Sequence, residues 1–345
     1  MVISVSLGAK SYPITVESGA LAQASRELSL DRRVLVVTDS GVPREYAAAV
    51  TRVCRKFHVC TLPAGESSKT LDNYRLLLQE MLRLGMDRGD CVVAVGGGMV
   101  GDLAGFTAAT YMRGVDFYNV PTTLLAQVDS SIGGKTAVDM DGVKNVVGAF
   151  HQPRAVLIDT DTLQSLPRRQ IAAGLAESVK MAMTCDEELL SFIESSDDLQ
   201  RDLPWIITRS LAIKARVVEQ DPIEQGLRRV LNFGHTIGHA IEKCSGYSWY
   251  HGMAVAVGMA MMIRACRKKG ICDEACLNQA ELLLKKFGLP QDCEYPAEAL
   301  LEAAVSDKKR SGGTITLVLP ETFGVCRLKK TAFNELGELI ALGKR

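Results

Sequence analysis

The chain has 345 residues, and its 40 basic and 40 acidic side chains cancel to a net charge of zero. That length exceeds what one hydrophobic core usually organises and suits two domains. The cancelled charge excludes a bulk positive field that would draw the protein nonspecifically to nucleic acid or anionic lipid, so any anionic ligand must be met locally.

The opening MVISVSLGAKSYPITV has neither the basic start and apolar core of a secretory signal nor the length to span a bilayer. Ten cysteines are scattered, and the nearest pair, Cys272 and Cys276, has a C-x3-C spacing more helical than zinc-like. They read as reduced, mostly buried thiols of a cytoplasmic protein with no membrane or nucleic-acid partner.

Residues 34–38 (VLVVT), 59–62, 91–95 (CVVAV), 117–120 and 155–158 (AVLI) predict strands joined by longer amphipathic segments, the pattern of a parallel sheet. From about residue 167 to 287 the periodicity is helical, with breaks at Pro204, at Asp221-Pro222 and at Gly246. The expected organisation is an α/β domain over 1–165 and an all-α domain over 166–345, with the boundary falling within 163–168. A stretch at 314–319 reads as a helix end or a stray strand.

In chain order, the first candidate ligand is Asp39, at the end of the VLVVT strand, where carboxylates of parallel sheets face the ligand crevice. A plain strand-end cap is the competing reading. Gly65, Glu66 and Lys69 form a polar turn after the next strand. Gly96, Gly98 and Gly101 then fit G-x-G-x-x-G after CVVAV, where backbone N–H groups at a helix start can approach a pyrophosphate. A glycine turn that merely packs a helix on its strand is the alternative, and the usual acidic residue some twenty positions on is missing; Asp116 comes too early. Arg113 precedes a glycine-containing stretch that gathers Asp129, Lys135, Lys144 and Asn145, a set that suits phosphate or carboxylate as well as an ordinary exposed loop.

In the helical half, Glu177 and Lys180 are i, i+3 neighbours flanked by small apolar residues, and Lys214 is ambiguous by itself. The stretch 226–242 is the most informative. At about 100° per residue, Arg228, Asn232, His235, His239 and Glu242 share one stripe of roughly 80°. That predicts one helix with a polar face toward a cleft. His235 and His239 at i, i+4 could meet one metal ion, but Thr236 stands where a zinc protease has glutamate. His251 follows, so three of the five histidines lie within 235–251, favouring a metal or acid-base site. No G-x-S-x-G elbow appears, and covalent acyl transfer has no support.

Taken together, GGGMVGD, YMRG, PTTLLAQVDSSIGGKTAV, GVKN, AGLAESVK, LNFGHTIGHAIE, YHG and DKK resemble, in order and spacing, the 3-dehydroquinate synthase family of sugar phosphate cyclases over about residues 34–325. The resemblance implies a dehydroquinate synthase-like fold, with an N-terminal Rossmann-like NAD-binding domain and a C-terminal helical domain that binds metal and substrate. It implies conversion of 3-deoxy-D-arabino-heptulosonate 7-phosphate to 3-dehydroquinate and phosphate. The steps would be transient oxidation by NAD, phosphate elimination, reduction and intramolecular aldol closure, in the shikimate pathway of aromatic amino acid and chorismate biosynthesis.

It also implies site residues. Glu177, His235 and His251 would hold zinc or cobalt, and His239 becomes a substrate or proton-relay residue. Asp129, Lys180, Lys214, Arg228 and His239, with Asn232 beside them on the stripe, would hold the substrate's hydroxyls and carboxylate. Lys135, Asn145 and a lysine of the Lys308-Lys309 pair would bind phosphate, with Arg113 reaching in from the second subunit of a homodimer. NAD would lie over Gly97, Gly98, Met99, Val100, Gly101 and Asp102. Asp39, Glu66, Lys69, Thr122, Thr123, Lys135, Lys144 and Thr162 would surround it. Two positions depart from the family pattern: Gly41, where T-D-x-N reads Thr38-Asp39-Ser40-Gly41, and Met253, where H-G-E reads His251-Gly252-Met253.

Overall fold

The structure is a computed structural model that describes residues 1–306 and 313–345. Lys308 and Lys309 lie outside the described residues. Contacts divide the chain into two compact units, Met1–Pro167 with Leu203–Ile223, and Arg168–Asp202 with Glu224–Arg345. The sequence expectation was a single cut at 165/166; Leu203–Ile223 instead groups with the first unit. Side chains of that segment explain why: Lys214 binds Asp129, and Glu219 Oε1 accepts from Ser6 N at 2.6 Å.

The first unit is built on a seven-stranded sheet. Its elements are β1 (Val2–Val5), β2 (Tyr12–Glu17), α1 (Ala24–Glu27), β3 (Arg33–Asp39), α2 (Arg44–Thr51), β4 (Lys56–Leu62), α3 (Leu71–Arg83), β5 (Cys91–Gly96), α4 (Gly98–Thr110), β6 (Asp116–Pro121), β7 (Lys135–Met140), β8 (Val143–Phe150) and β9 (Ala155–Asp159). The sheet order is β1-β2-β9-β6-β5-β3-β4, parallel except for β1 against β2.

Both faces of the sheet are covered, so its central strands are continuous apolar runs. Val34, Val36, Val93 and Val95 pack on one side with Ala47 and Val50 of α2. Leu35, Val37, Val92 and Ala94 pack on the other with Leu77 and Met81 of α3 and Leu103 and Phe106 of α4. Each fully buried valine or leucine contributes about 1.5–3 kcal/mol. β3 lies between β4 and β5, so the winding reverses there. The carboxyl ends of β3 and β5 therefore border the crevice where such sheets bind ligands.

The stretch after Asp129, which reads as a loop from its sequence, contains the β7–β8 hairpin. Asp141 (φ 51°) and Gly142 (φ 76°) make its two-residue turn, the left-handed pair that hairpin twist requires.

The second unit contains α5 (Arg168–Cys185), α6 (Glu187–Ser195), the first turn of α7 (Leu199–Gln220), α8 (His235–Cys244), α9 (His251–Lys268), α10 (Glu274–Lys286), α11 (Ala297–Ser306), β10 (Thr314–Thr322), β11 (Val325–Ala332) and α12 (Phe333–Gly343). It is helical with one antiparallel hairpin, β10–β11, where the sequence left a helix end or strand open. The aspartates 186 and 273 cap α6 and α10 through Leu189 N (2.7 Å) and Cys276 N (2.9 Å). Among the described residues no helix is long and apolar enough to cross a membrane.

The helix predicted over 226–242 is broken. Leu227–Asn232 form a 3-10 turn, and Gly234 adopts the left-handed region (φ 77°) before α8 starts at His235. A side chain at Gly234 would also meet Met259 Cγ at 2.7 Å and Val255 O at 2.8 Å. The close packing of α8 on α9 therefore overrides the unbroken helical period.

Candidate active site

In the second unit, three helices converge at their starts or middles. Glu177 and Lys180 sit on α5, His235 and His239 on α8, and His251 opens α9. Gly252 permits this convergence, since a Cβ there would lie 1.8 Å from the Ala173 carbonyl oxygen on α5. Glu177 Oε1 stands 3.5 Å from His251 Nε2 and 3.8 Å from His235 Nε2, while Oε2 accepts from Lys180 Nζ. His235 Nδ1 is 3.1 Å from the Phe233 carbonyl oxygen, an arrangement that places its proton on Nδ1 and leaves the Nε2 lone pair, free to bind a cation, on the side of Glu177.

Glu177 is wholly buried, and its Oε1 has no hydrogen-bond partner among the described residues. A buried carboxylate oxygen left unsatisfied is costly unless something fills the gap. One carboxylate oxygen and two imidazole nitrogens facing each other are the donor set of a borderline divalent cation such as zinc or cobalt, so the residues fit a metal. His239 is near as well. One nitrogen each of His235, His239 and His251 lies within 4.8 Å of the others, although His239 is the exposed member. His235 and His251 belong to either ligand set.

Electrostatics follow from the crowding. Burial alone would raise Glu177, but Lys180, His235 and His251 hold it well below the carboxylate range. Burial and the Lys180 ammonium push His235 well below the ordinary imidazole value. Burial also opposes the charged form of His251, yet the Glu177 and Glu242 carboxylates on its two sides prevail and raise it to about 10.

The turn before α8 carries Arg228, 3% exposed, and Asn232, whose Nδ2 donates to Glu224 Oε1 at 2.6 Å. Because the helix is broken, the stripe shared by these two residues and the histidines does not exist as one helical face. Glu224 was absent from the sequence reading, and nothing in its spacing marks it.

In the first unit, Asp129 lies on a π-helical turn, Ala126–Ser130, and Lys214 Nζ donates to its Oδ1 at 2.8 Å. Asp39 ends β3 as expected. Its Oδ1 accepts from Gly41 N at 2.7 Å, so it caps the strand whatever else it binds. A Cβ at Gly41 would come 3.1 Å from that same oxygen and 3.3 Å from Ala64 Cβ, a steric reason for glycine at the departing position.

Gly97 caps α4, and Gly98 begins it at the end of β5. A Cβ at either would press on Thr123 Cγ2 (3.1 Å) or Ser130 Oγ (3.0 Å). Met99 and Val100 are buried, the latter against Gly96, so of the first turn's groups only backbone N–H is offered to a ligand there. Among the described residues Thr38 Oγ1 and Ser130 Oγ are buried with no hydrogen-bond partner. Lys69 Nζ binds Asp102 Oδ2 at 2.5 Å and Glu66 Oε1 at 3.6 Å, and Lys144 Nζ reaches that Glu66 oxygen at 3.8 Å. The expected cofactor residues Glu66, Lys69, Asp102 and Lys144 thus form one ionic chain. Burial raises Asp102 despite Lys69, whereas Asp102 and Glu66 keep buried Lys69 charged against its desolvation.

Thr122 is buried and donates its N–H to Gly96 O at 2.9 Å. The Thr162 hydroxyl donates to Asp159 O (2.7 Å) and accepts from Gln127 Nε2 (3.0 Å), part of a latch that sequence reading missed. Lys135 and Asn145, expected to share phosphate, are not neighbours within this chain. Lys135 pairs with Phe150 at the open end of the hairpin, whereas Asn145 donates its N–H to Asp139 Oδ1 (2.8 Å) near the tip, roughly 13 Å further along the strand. Arg113 is exposed at φ 69°.

A switch-point crevice with a glycine-led helix start, and a carboxylate–histidine cluster with an orphaned oxygen, define an enzyme class that uses a dinucleotide and a divalent metal. Known proteins narrow it. Residues 59–173 match the model of the 3-dehydroquinate synthase N-terminal domain, and 174–310 match that of its C-terminal domain. The chain is 43% identical over 357 residues to the 3-dehydroquinate synthase of Pelobacter propionicus, covering 99% of both, and 42% identical over 348 residues to that of Enterococcus faecalis, covering 97% of both. Among solved structures, it is similar to a 2-deoxy-scyllo-inosose synthase complexed with carbaglucose-6-phosphate, NAD+ and Co2+ (TM-score 0.90, 26% identity, 99% of both chains). It is also similar to the 2-epi-5-epi-valiolone synthase of Streptomyces hygroscopicus with NAD+ and Zn2+ bound (TM-score 0.88, 26% identity, 98% of both chains). The chain belongs to the 3-dehydroquinate synthase family.

Proposed function

We propose that the chain is a cytoplasmic carbon–oxygen lyase that converts 3-deoxy-D-arabino-heptulosonate 7-phosphate to 3-dehydroquinate and phosphate in the shikimate pathway. The observation that carries this reading is the orphaned Glu177 Oε1 facing His235 Nε2 and His251 Nε2, in a chain of this family. Its cofactors are NAD and zinc or cobalt. Bound NAD supplies a reversible hydride acceptor, and the cation supplies Lewis acidity to the substrate's hydroxyls.

In this reading Glu177, His235 and His251 hold the cation. Lys180 keeps Glu177 ionised, which a ligand carboxylate needs. The first turn of α4, from Gly97 to Asp102, receives the pyrophosphate on backbone N–H groups, with Asp39 near the ribose. Lys69 and Lys144, set in their ionic chain with Glu66 and Asp102, flank it, as do Thr122, Thr123, Lys135 and Thr162. Asp129, fixed by Lys214, and Arg228, Lys180 and Asn232 hold the substrate's hydroxyls and carboxylate. Arg228 is the natural carboxylate partner, being a buried guanidinium with a fork geometry. His239, the exposed histidine of the cluster, carries protons to and from the substrate through its imidazole. Phosphate is met by Lys135, Asn145 and a lysine of the Lys308-Lys309 pair. A homodimer would supply Arg113 in trans, which accounts for an arginine held exposed at a left-handed backbone position.

The test is phosphate release from the heptulosonate phosphate by chelator-treated protein, with NAD and zinc or cobalt added singly and together while absorbance at 340 nm is followed. Release that needs both, with NAD acting catalytically, is the expected result. No release by protein that holds both would point to another sugar phosphate, and steady NADH formation from a simple polyol would point to a dehydrogenase.

A further inference from the structure

The His251 ring has two differently occupied edges. Nε2 faces Glu177 Oε1 at 3.5 Å, and Nδ1 faces Glu242 Oε2 at 3.4 Å. Glu242 lies on α8, seven residues beyond His235 and hence on the same side of that helix, and it is 2% exposed. Its α8 neighbours Ile237, Ala240 and Ile241 are buried and apolar, so an ionised carboxylate among them is expensive unless it serves another group. The turn that carries it is braced, since the Glu242 carbonyl oxygen accepts from Tyr247 N at 2.7 Å and from Ser245 Oγ at 2.8 Å. The helix that bears His251 has no acidic residue anywhere in HGMAVAVGMAMMIRACRK, and Met253 is buried. The carboxylate at Nδ1 therefore comes from outside α9, and Glu242 of α8 supplies it.

Imidazole binds a cation through one nitrogen while the other keeps its proton, and what accepts that proton sets the tautomer, the ring orientation and the basicity of the donor nitrogen. His235 uses a neutral acceptor, the Phe233 carbonyl. His251 has an anionic one. We propose that Glu242 is a positioning residue whose carboxylate accepts the Nδ1 proton of His251 and so fixes Nε2 toward Glu177 Oε1 as a strong metal donor. This rests on the reading of Glu177, His235 and His251 as ligands. It assigns Glu242 no contact with substrate or cofactor.

The experiment is cobalt(II) titration of the metal-stripped full chain against a competing chelator, with visible spectra recorded, for the wild type, Glu242→Gln and Glu242→Ala. NAD affinity and metal-free melting are measured alongside. Glu242→Gln keeps the shape and an acceptor oxygen but loses the charge, so cobalt should bind about tenfold more weakly; Glu242→Ala should approach about 100-fold. NAD affinity and the metal-free melting of Glu242→Gln should stay as in the wild type. If Glu242→Ala does not fold, Glu242→Gln decides alone. Wild-type cobalt affinity in Glu242→Gln overturns the proposal, as do parallel losses of NAD affinity and metal-free stability, which mark a merely structural role. A wild type that takes up no cobalt instead overturns the ligand reading on which the proposal stands.

Discussion

Lys214 Nζ lies 2.8 Å from Asp129 Oδ1 and also donates to the Asp129 backbone carbonyl, so one ammonium fixes both the side chain and the π-helical turn that presents it. Lys214 is 5% exposed, so losing the Asp129 carboxylate weakens the support of a buried ammonium. A double-mutant cycle with Lys214→Met and Asp129→Asn, read by urea denaturation, should give a coupling energy of roughly 1–3 kcal/mol. Either single change should lower kcat/KM by about 100-fold or more if the pair holds substrate. Additive stability effects with intact turnover would show that the pair does neither.

In the proposed function Lys69 and Lys135 serve different anions, the dinucleotide and the substrate phosphate. Lys69 is buried between Asp102 and Glu66, whereas Lys135 is exposed at the open end of the β7–β8 hairpin. Lys69→Ala removes the ammonium hydrogen-bonded to Asp102 and should weaken NAD binding by about tenfold or more, measured by calorimetry. Lys135→Ala should harm binding of phosphorylated substrate more than binding of NAD. Equal losses in Lys135→Ala would remove it from the phosphate role.

The legibility of these features follows their physics. The strands of the sheet core could be read because both faces are buried, which writes β3 and β5 as unbroken apolar runs. β1 could not, since two of its four residues are exposed and it pairs only at the edge. The β7–β8 hairpin did carry a signal, the Asp141-Gly142 pair, but its flanking strands lack clean alternation and the turn passed as loop. The convergence of Glu177, His235 and His251 was legible only through family resemblance, because α5 is remote in sequence from α8 and α9. Spacing alone favoured the pairing of His235 with His239. It also hid the break at Gly234, which arises from packing against Met259 and Val255 and leaves no mark on helical period.

The thiols give a pH-dependent test. Burial pushes Cys91 up to about 12, where an unfolded thiol titrates near 9. Between those values the unfolded chain has lost a proton that the folded chain keeps, so stability is intact below pH 9 and falls as pH rises toward 12. Cys91→Ala should flatten that alkaline loss in melts taken across pH 8 to 10.5. Parallel wild-type and variant curves would mean that Cys91 stays accessible to solvent and that the sheet face around it is looser than its packing indicates.

Gly252 tests how finely the helices must meet. An added Cβ would lie 1.8 Å from the Ala173 carbonyl oxygen, which is backbone and cannot rotate away. Gly252→Ala should therefore push α9 from α5 at a cost of about 1–3 kcal/mol or more. His251 precedes Gly252 directly, and Glu177 lies one turn beyond Ala173, so the same displacement should weaken cobalt binding. A stable variant with unchanged cobalt affinity would show that the ligands are positioned by other contacts.

The division of labour among the three histidines is the sharpest remaining question, because one nitrogen of each lies within 4.8 Å of the others. Two features separate His239. It is exposed, while Glu177, the oxygen donor facing the other two, is fully buried, and His235 has its Nδ1 held by a backbone carbonyl at 3.1 Å. A cation that satisfies Glu177 Oε1 is drawn toward His235 and His251, since that buried oxygen has no hydrogen-bond partner among the described residues and faces both rings. His235→Ala should then abolish tight cobalt binding, whereas His239→Ala should keep the metal and lose turnover by about 100-fold or more, the scale of a proton-transfer group. Matching metal losses in the two variants would place His239 among the ligands and require another group to move the proton.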